Sequence, residues 1–313
     1  MTATRPPCAI CSTLASHSMS AALRLATRGS RQARAQAQVV ADSIAAATGR
    51  DVELVLIETT GDQRQDVPLH VIGGQGVFVK EVQRAVLDGR ADLAAHSAKD
   101  LTSEQAEGLV LGAFAERRDA RDVLIGASLD ALEHGATVAS GSVRRRAQLA
   151  AVRPDLQFVE LRGNIDTRLT KIPEGGAIVM AMAALQILDM TDRVGQALDL
   201  ERFVPAIGQG CVAVECRSHD ESTRVALAAI DHQPTRRAVE IERAFLGQLG
   251  SGCSLPVGGH VIGNDLHVFL ADPETGAVVR DTVDVGDHDA ATATDGQLER
   301  ARSAARDAQA RLG

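Results

Sequence analysis

Short apolar runs alternate with longer stretches in which apolar residues recur every three or four positions, starting near residue 23. Leu23-Arg24-Leu25-Ala26 reads as a strand, and the Ala- and Gln-rich stretch 31–47 as a helix closed by Gly49. Val52 to Ile57 is the next strand, so the chain opens with a strand–helix–strand unit that predicts a parallel sheet. Val77 to Asp88 returns to helical spacing, with Val79, Val82, Val86 and Leu87 on its inner face. Leu93–Ala95 and Val110–Phe114 are further strands. From Arg117 the pattern restarts, with strands at Val123–Ile125 and Thr137–Ala139 and a helix running through Val152. A strand over Leu156–Leu161, a helix carrying Arg168, a strand over Ala177–Met180 and a helix over Ala181–Leu188 follow. Val204 to Gly210 turns into a strand over Cys211–Cys216, and helices are expected over about 221–230 and 235–249. Alternating strands over about 260–284 and an Ala/Arg helix from about 296 predict a small α+β end domain.

In open α/β sheets, ligands bind beyond the carboxyl ends of the strands, so polar residues at those ends carry the candidate chemistry. His96, Ser97, Lys99 and Asp100 follow one strand directly, and Arg28 and Ser30 follow another. Lys99 and Asp100 read either as a loop ion pair of little consequence or as groups that meet a substrate. Arg144-Arg145-Arg146 opens a helix, where three cations oppose the helix dipole. A solvated charge run is one reading; an anion docked at that helix start is the other, and it accounts for an otherwise costly arrangement. The next strand ends in Arg162 and its helix carries Arg168, so two successive turns each present arginines. The planar guanidinium fork bonds both oxygens of a carboxylate, so the expected ligand carries several carboxylates or phosphates.

Two glycine-rich segments stand apart. Gly73-Gly74-Gln75-Gly76 lacks a following Gly-Lys-Ser/Thr, so it is not a nucleotide P-loop; a mobile loop is expected. Cys253 sits among four glycines and two serines between Gly250 and Gly259, which favours an accessible thiol over a buried small hydrophobe.

Composition narrows the function class. A chain of 313 residues suggests two or three domains, and 45% hydrophobic with 24% charged residues makes it globular. Aromatics are 2%, with no Trp or Tyr, so the core rests on Ala, Val, Leu and Ile and base stacking has no platform. The net charge of −8 opposes a nucleic-acid or acidic-membrane partner. Five scattered cysteines give no disulfide framework, so a cytoplasmic location is expected, and no apolar run approaches the ~20 residues of a membrane helix. Residues 1–20 are expected to be a disordered tail without a secretory signal. Their Cys8-Ala-Ile-Cys11 lacks a second pair, so no metal is expected, and Met19 is an alternative start.

Seven ordered segments together resemble the porphobilinogen deaminase (hydroxymethylbilane synthase) family. They are Leu-Arg-Leu-Ala-Thr-Arg-Gly-Ser at 23–30, Gly-Gly-Gln-Gly-Val-Phe-Val-Lys-Glu at 73–81, His-Ser-Ala-Lys-Asp at 96–100 and Ser-Val-Arg-Arg at 142–145. Leu-Arg-Gly-Asn-Ile-Asp-Thr-Arg-Leu at 161–169, Pro-Ala-Ile-Gly-Gln-Gly at 205–210 and Gly-Cys-Ser-Leu-Pro-Val-Gly at 252–258 complete the set. The resemblance implies an α/β protein with two periplasmic-binding-protein-like domains, each with a mainly parallel sheet, and a small C-terminal α+β domain. The bounds it suggests are 21–116 with 210–230, 117–209, and 231–313, in a monomer.

It also implies a dipyrromethane cofactor, one per chain, in thioether linkage to Cys253. Four porphobilinogen units are added to it with loss of ammonia, and water releases the linear tetrapyrrole. The implied catalytic residue is Asp100, which stabilises an azafulvenium-like cation. Lys99, Ser140, Ser142, Arg144, Arg145, Asn164 and Arg168 are the implied cofactor ligands, and Arg28, Ser30, Arg162 and Gln209 the implied substrate ligands. Gly74, Gln75, Gly76 and Phe78 belong to the implied loop. The chain departs from the family's pattern at Val71, Gln75 and Ile187, which stand where cations are usual, at Asp166, which adds an acid, and at Gly141, which replaces a usual serine. Weaker substrate binding, or compensation by another arginine such as Arg146, is therefore expected. A non-catalytic relative that binds a polycarboxylate in the interdomain cleft is the alternative; a transcription regulator is disfavoured by the absence of a helix-turn-helix segment.

Overall fold

The structure, a computed structural model, describes residues 22–59, 76, 78–250, 256–286 and 292–312. Strand β1 (Leu23–Arg28) leads into helix α1 (Arg31–Thr48) and strand β2 (Val52–Ile57). Ser30 caps α1 by accepting the Ala33 N–H, and Gly49 ends it in the left-handed region, its N–H on the Ala45 carbonyl. Ala37, Val40, Ala41 and Ile44 recur at helical spacing and are buried against the sheet. Helix α2 (Lys80–Leu87), strand β3 (Leu93–Ser97), a 3-10 turn (Ala98–Asp100) and strand β4 (Leu109–Phe114) complete the first run. Leu87 departs from expectation: it is 43% exposed at the end of α2, and Ala85 and Gln83 take the inner positions beside Val82 and Val86.

The second run comprises β5 (Asp122–Ile125), β6 (Thr137–Ala139), α3 (Val143–Val152), β7 (Gln157–Val159) and α4 (Ile165–Leu169). It continues with β8 (Ala177–Ala181), α5 (Met182–Gln186) and β9 (Gln196–Ala197), a strand of two residues that periodicity does not mark. Strand β10 (Val212–Arg217) and helix α6 (Glu221–Ala228) follow. The last run is helix α7 (Gln233–Gln248), strands β11 (Val257–Ile262), β12 (Asp265–Ala271) and β13 (Val278–Asp284), and helix α8 (Asp295–Leu312).

These strands form two five-stranded sheets, ordered β2-β1-β3-β10-β4 and β7-β6-β8-β5-β9, and a three-stranded antiparallel sheet β11-β12-β13. In the first, β1 is parallel to β2 and β3; in the second, β6 is parallel to β7 and β8. Both large sheets are nevertheless mixed, because each receives an antiparallel strand that arrives from the other side of the molecule. β10 enters between β3 and β4, and β5 between β8 and β9. Flanked on both sides, β10 is buried from Val212 to Cys216, and the one charged residue in that run, Glu215, accepts from Gln83 and faces His96.

Register places the site. Val212 of β10 faces Ser97 at the carboxyl end of β3, so Gln209, just upstream, arrives beside Lys99. Asp122 of β5 faces Ala181 at the carboxyl end of β8. The two connecting segments touch each other: the Arg118 N–H donates to the Gly210 carbonyl at 2.9 Å. Gly210 has φ +88, and a Cβ there would lie 2.5 Å from the Arg118 carbonyl oxygen, so only glycine allows this approach. Glu242 of α7, fully buried, ties both segments to the third sheet. It accepts from the Arg117 guanidinium (2.6 and 3.0 Å), the Gly208 N–H (2.8 Å) and the Val261 N–H (2.9 Å). Burial alone would raise its carboxyl, but Arg117 and His260 hold it down at about 2. α7 and α8 close the third core through Ile241, Phe245, Leu266, Val268 and Ala305. Among the described residues, no helix is long and apolar enough to cross a membrane.

Candidate functional site

A cleft of about 1010 Å³ opens between the carboxyl ends of the two large sheets. Arg28, Ser30, Phe78, Lys99 and Asp100 line it from the first sheet. Ser142, Arg145, Arg162, Asn164 and Arg168 line it from the second, and Gln209 lies at the junction. Gly76 and Arg144 also reach it. Ser140 does not line it: that residue is 1% exposed, and its hydroxyl accepts the Ser142 N–H at 3.2 Å. Cys253, Gly74, Gln75 and Val71 lie outside the described residues, as do Cys8, Cys11 and Met19.

Three of the polar ligands expected from the sequence are helix N-caps. The Ser30 hydroxyl accepts from Ala33 N–H (3.2 Å), Ser142 from Arg145 N–H (3.4 Å), and Asn164 Oδ1 from both Thr167 N–H (2.9 Å) and its hydroxyl (2.8 Å). Capping uses only the acceptor side of these groups. The serine O–H and the Asn164 amide N–H remain as donors for an anion in the cleft. Phe78 packs face-on to Arg28, whose guanidinium carbon is 3.9 Å from the ring centroid.

The arginines divide into two sets. Arg144 and Arg145 are buried and converge on Asp122, at 2.7 Å and 2.8 Å respectively. Arg144 also donates to the Val204 carbonyl, and Arg145 to the Val179 carbonyl. Burial would raise the Asp122 carboxyl, but the two guanidiniums and Gln209 hold it well below the usual carboxylate range. The cost of cations at the start of α3 is thus largely offset within the protein. Arg146 does not itself line the cleft: it donates to the Ser140 carbonyl (2.6 Å) and pairs with Glu160, an acid that does line it, so it neutralises that carboxylate rather than compensating for the lost charges.

Among the described residues, neither Arg162 nor Arg168 pairs with a carboxylate. Nη1 of Arg162 is buried without a hydrogen-bond partner, and the Arg168 side chain reaches only the Gly163 carbonyl, at 2.8 Å. Desolvation, then the charges of Arg145 and Arg162, push the Arg168 guanidinium down to about 10, with Asp100 acting against them. Lys99 is in a similar state. Desolvation and Arg145 lower its ammonium to about 8, against the pull of Asp100 and Asp122. Its Nζ lies 3.4 Å from Gln209 Oε1, and Gln209 Nε2 donates to Asp122 at 2.8 Å. The Asp100 carboxylate makes no hydrogen bond or ion pair with any described residue, so its acceptor capacity faces the cleft intact.

The departures expected to weaken anion binding have structural accounts. Asp166 forms an ion pair with Arg31 at 3.0 Å across the cleft mouth, rather than lying against Arg162 or Arg168. A Cβ on Gly141 would come within 2.8 Å of the Leu161 carbonyl oxygen, so the glycine fits a close backbone approach. Ile187 closes α5 and walls a small niche beside the cleft. Sequence reasoning missed Asp122, Glu160 and Glu242, whose partners lie between 14 and 125 positions away.

The family model described as "Porphobilinogen deaminase, dipyromethane cofactor binding domain" matches residues 23–225, more than half of the chain. The chain belongs to the porphobilinogen deaminase family. It is 46% identical over 274 residues to the porphobilinogen deaminase of Nitratidesulfovibrio vulgaris, covering 84% of this chain and 87% of that one. The porphobilinogen deaminase of Brevibacillus brevis is 44% identical over 254 residues, covering 79% and 82%. The probable porphobilinogen deaminase of Methanopyrus kandleri is 42% identical over 275 residues, covering 84% and 92%. Among solved structures, the methionine binding protein MetQ aligns over 66% of this chain and 89% of its own, at 13% identity and a TM-score of 0.41. The motif residues of the porphobilinogen deaminase family, from Arg28 to Gln209, thus line a single cleft here, apart from Ser140 and the residues outside the described set.

Proposed function

We propose that this protein is a hydroxymethylbilane synthase, a transferase. It condenses four porphobilinogen molecules head to tail with loss of ammonia and releases the linear tetrapyrrole by hydrolysis. The observation that carries the reading is the Asp100 carboxylate, not hydrogen-bonded by any described residue, set in one cleft with Arg162 and Arg168, which pair with no described acid. Three units with the bounds 21–116 plus 210–230, 117–209 and 231–313 carry the roles, the last attaching a dipyrromethane primer at Cys253.

The residues present fit such a group. A dipyrromethane brings four carboxylates, and the second sheet offers a buried, unpartnered Arg162 Nη1 and an Arg168 whose charge is disfavoured by its neighbours. Arg168, Arg145, Lys99, Ser142 and Asn164 would hold it; when bound it supplies a nucleophilic pyrrole carbon and a covalent anchor. Arg28, Ser30 and Arg162 bind the acid arms of the incoming porphobilinogen, with Gln209 holding Lys99 in place. Asp100 accepts the pyrrole N–H and steadies positive charge on the ring as the aminomethyl C–N bond breaks and ammonia leaves. Phe78 and the 3-10 turn at Ala98–Asp100 restrict water around that carboxylate, which strengthens the interaction.

The decisive experiment is the intact mass of protein purified from cells that make porphobilinogen, followed by turnover of Asp100→Ala. The expected result is an excess of two linked pyrrole units, absent in Cys253→Ser, and a folded Asp100→Ala variant slower by roughly 10²–10³-fold or more. A chain that weighs only its residues overturns the synthase reading and leaves a polycarboxylate binder. Normal turnover by Asp100→Ala overturns the role of that carboxylate.

A further inference from the structure

Beside the main cleft lies a second, much smaller niche of about 20 Å³. It shares Gln32, Gln36, Ser97 and Lys99 with the cleft, so the two are continuous. Its far wall is Ala181, Ala184 and Ile187 of the second sheet, and its base is the Gly208–Val212 segment. No aspartate or glutamate is among the described residues that line it. Two cations do: Lys99 and Arg118.

Arg118 is held in the fold by its backbone. Its N–H donates to the Gly210 carbonyl, which fixes its position, but its guanidinium makes no hydrogen bond or ion pair with any described residue. The neighbouring acid, Asp119, is already held by Arg121 at 2.6 Å. A half-buried arginine that lines the niche, with five side-chain donors and no acceptor among the described residues, beside a desolvated ammonium, is a site that gains by taking up an anion. Gln36 directs its side-chain oxygen to the Ser97 hydroxyl, which leaves its amide N–H as a further donor. The volume sets the size of the guest. About 10–15 Å³ admits one water, so a niche of this size takes the tip of a side arm and excludes a ring.

We infer that Arg118, together with Lys99, forms an acid-arm subsite in which one carboxylate of the incoming porphobilinogen is held while its pyrrole ring stays in the main cleft. The inference rests on the proposed synthase reading for the identity of the substrate, but not for the anion chemistry of the niche. Arg118 thereby determines which pyrroles bind: an arm ending in an amide or an alkyl group leaves both cations unmatched. Ile187 faces the same space from the opposite wall, so an arginine placed there can deliver a guanidinium to it.

The test uses the cofactor-loaded full-length protein and a non-reactive probe. The probe is a pyrrole with acetate and propionate arms and a methyl group in place of the aminomethyl group; its diamide is the control. Binding is read by equilibrium dialysis. The expected result is that Arg118→Gln weakens diacid binding about tenfold without changing diamide binding or the melting temperature. KM for porphobilinogen should rise by a similar factor, with kcat within about twofold of the parent. Adding Ile187→Arg to Arg118→Gln should restore diacid binding. Unchanged diacid affinity in Arg118→Gln, or an equal loss for diacid and diamide, overturns the inference. If the protein carries no dipyrromethane mass yet binds the diacid in an Arg118-dependent way, the niche stands and the synthase reading falls. If it carries that mass and ignores Arg118, the reverse holds.

Discussion

Two pairs of arginines sit on the same wall of the cleft, each at a turn from strand to helix, and they do opposite work. Arg144 and Arg145 share Asp122 and two backbone carbonyls and so belong to the frame, with only the N–H groups that Arg145 does not spend there left for the cleft. Among the described residues, Arg162 and Arg168 have one carbonyl between their side chains and no paired acid; of the nearest acids in sequence, Glu160 is taken by Arg146 and Asp166 by Arg31. The residue type is identical and the local sequence context similar. The fold decides whether a guanidinium is structural or available, by bringing a carboxylate from elsewhere or withholding it. An unmatched buried cation costs stability, and that cost is the usual mark of a group kept for a ligand.

Substitutions that exchange the states of the two pairs test this contrast. The largest effect is expected for Asp122→Asn, which strips the paired set of its anion; urea unfolding should show a loss of roughly 3–5 kcal/mol. Retained stability would show that Arg144 and Arg145 are held by their carbonyls alone. Next comes Arg162→Gln. Its stability should stay within about 0.5 kcal/mol of the parent or rise, while affinity for the diacid probe falls about tenfold. A loss of stability without a loss of affinity would place Arg162 in the frame with Arg144.

The smallest effect is one of pH. Lys99 is lowered from 10.5 to about 8 in the folded protein, so the folded protein binds fewer protons than the unfolded chain between those values. Stability from this group therefore rises with pH across that window, whereas anion affinity falls as the ammonium loses its proton. Binding of the diacid probe should be level below about pH 7 and weaken progressively above about pH 8. Lys99→Met should flatten the profile.

Much of this was legible along the chain because it is local. Strand ends and the turns that follow them brought Arg28, Lys99, Asp100, Arg162 and Arg168 to one cleft. What the sequence hid is pairing over distance. Asp122 precedes Arg144 by 22 positions and has no periodic relation to it, so the arginine run read as free charge. Arg146 looked equal to its two neighbours, yet it spends its charge on Glu160 and does not line the cleft itself. Arg118 drew no notice because its significance lies in what does not face it. Leu87 shows the same limit in the core: its spacing suits the buried stripe, but it is the last residue of α2 and is exposed.

Glu242 has a consequence for movement. It grips both lengths of chain that run between the two large sheets, and the strand that begins at Val257 reaches the cleft from the same side. Any widening of the cleft must swing about that clasp, and points near a fulcrum travel least. A bound molecule held where Val257 meets the cleft would therefore stay almost still while the walls made room for its far end.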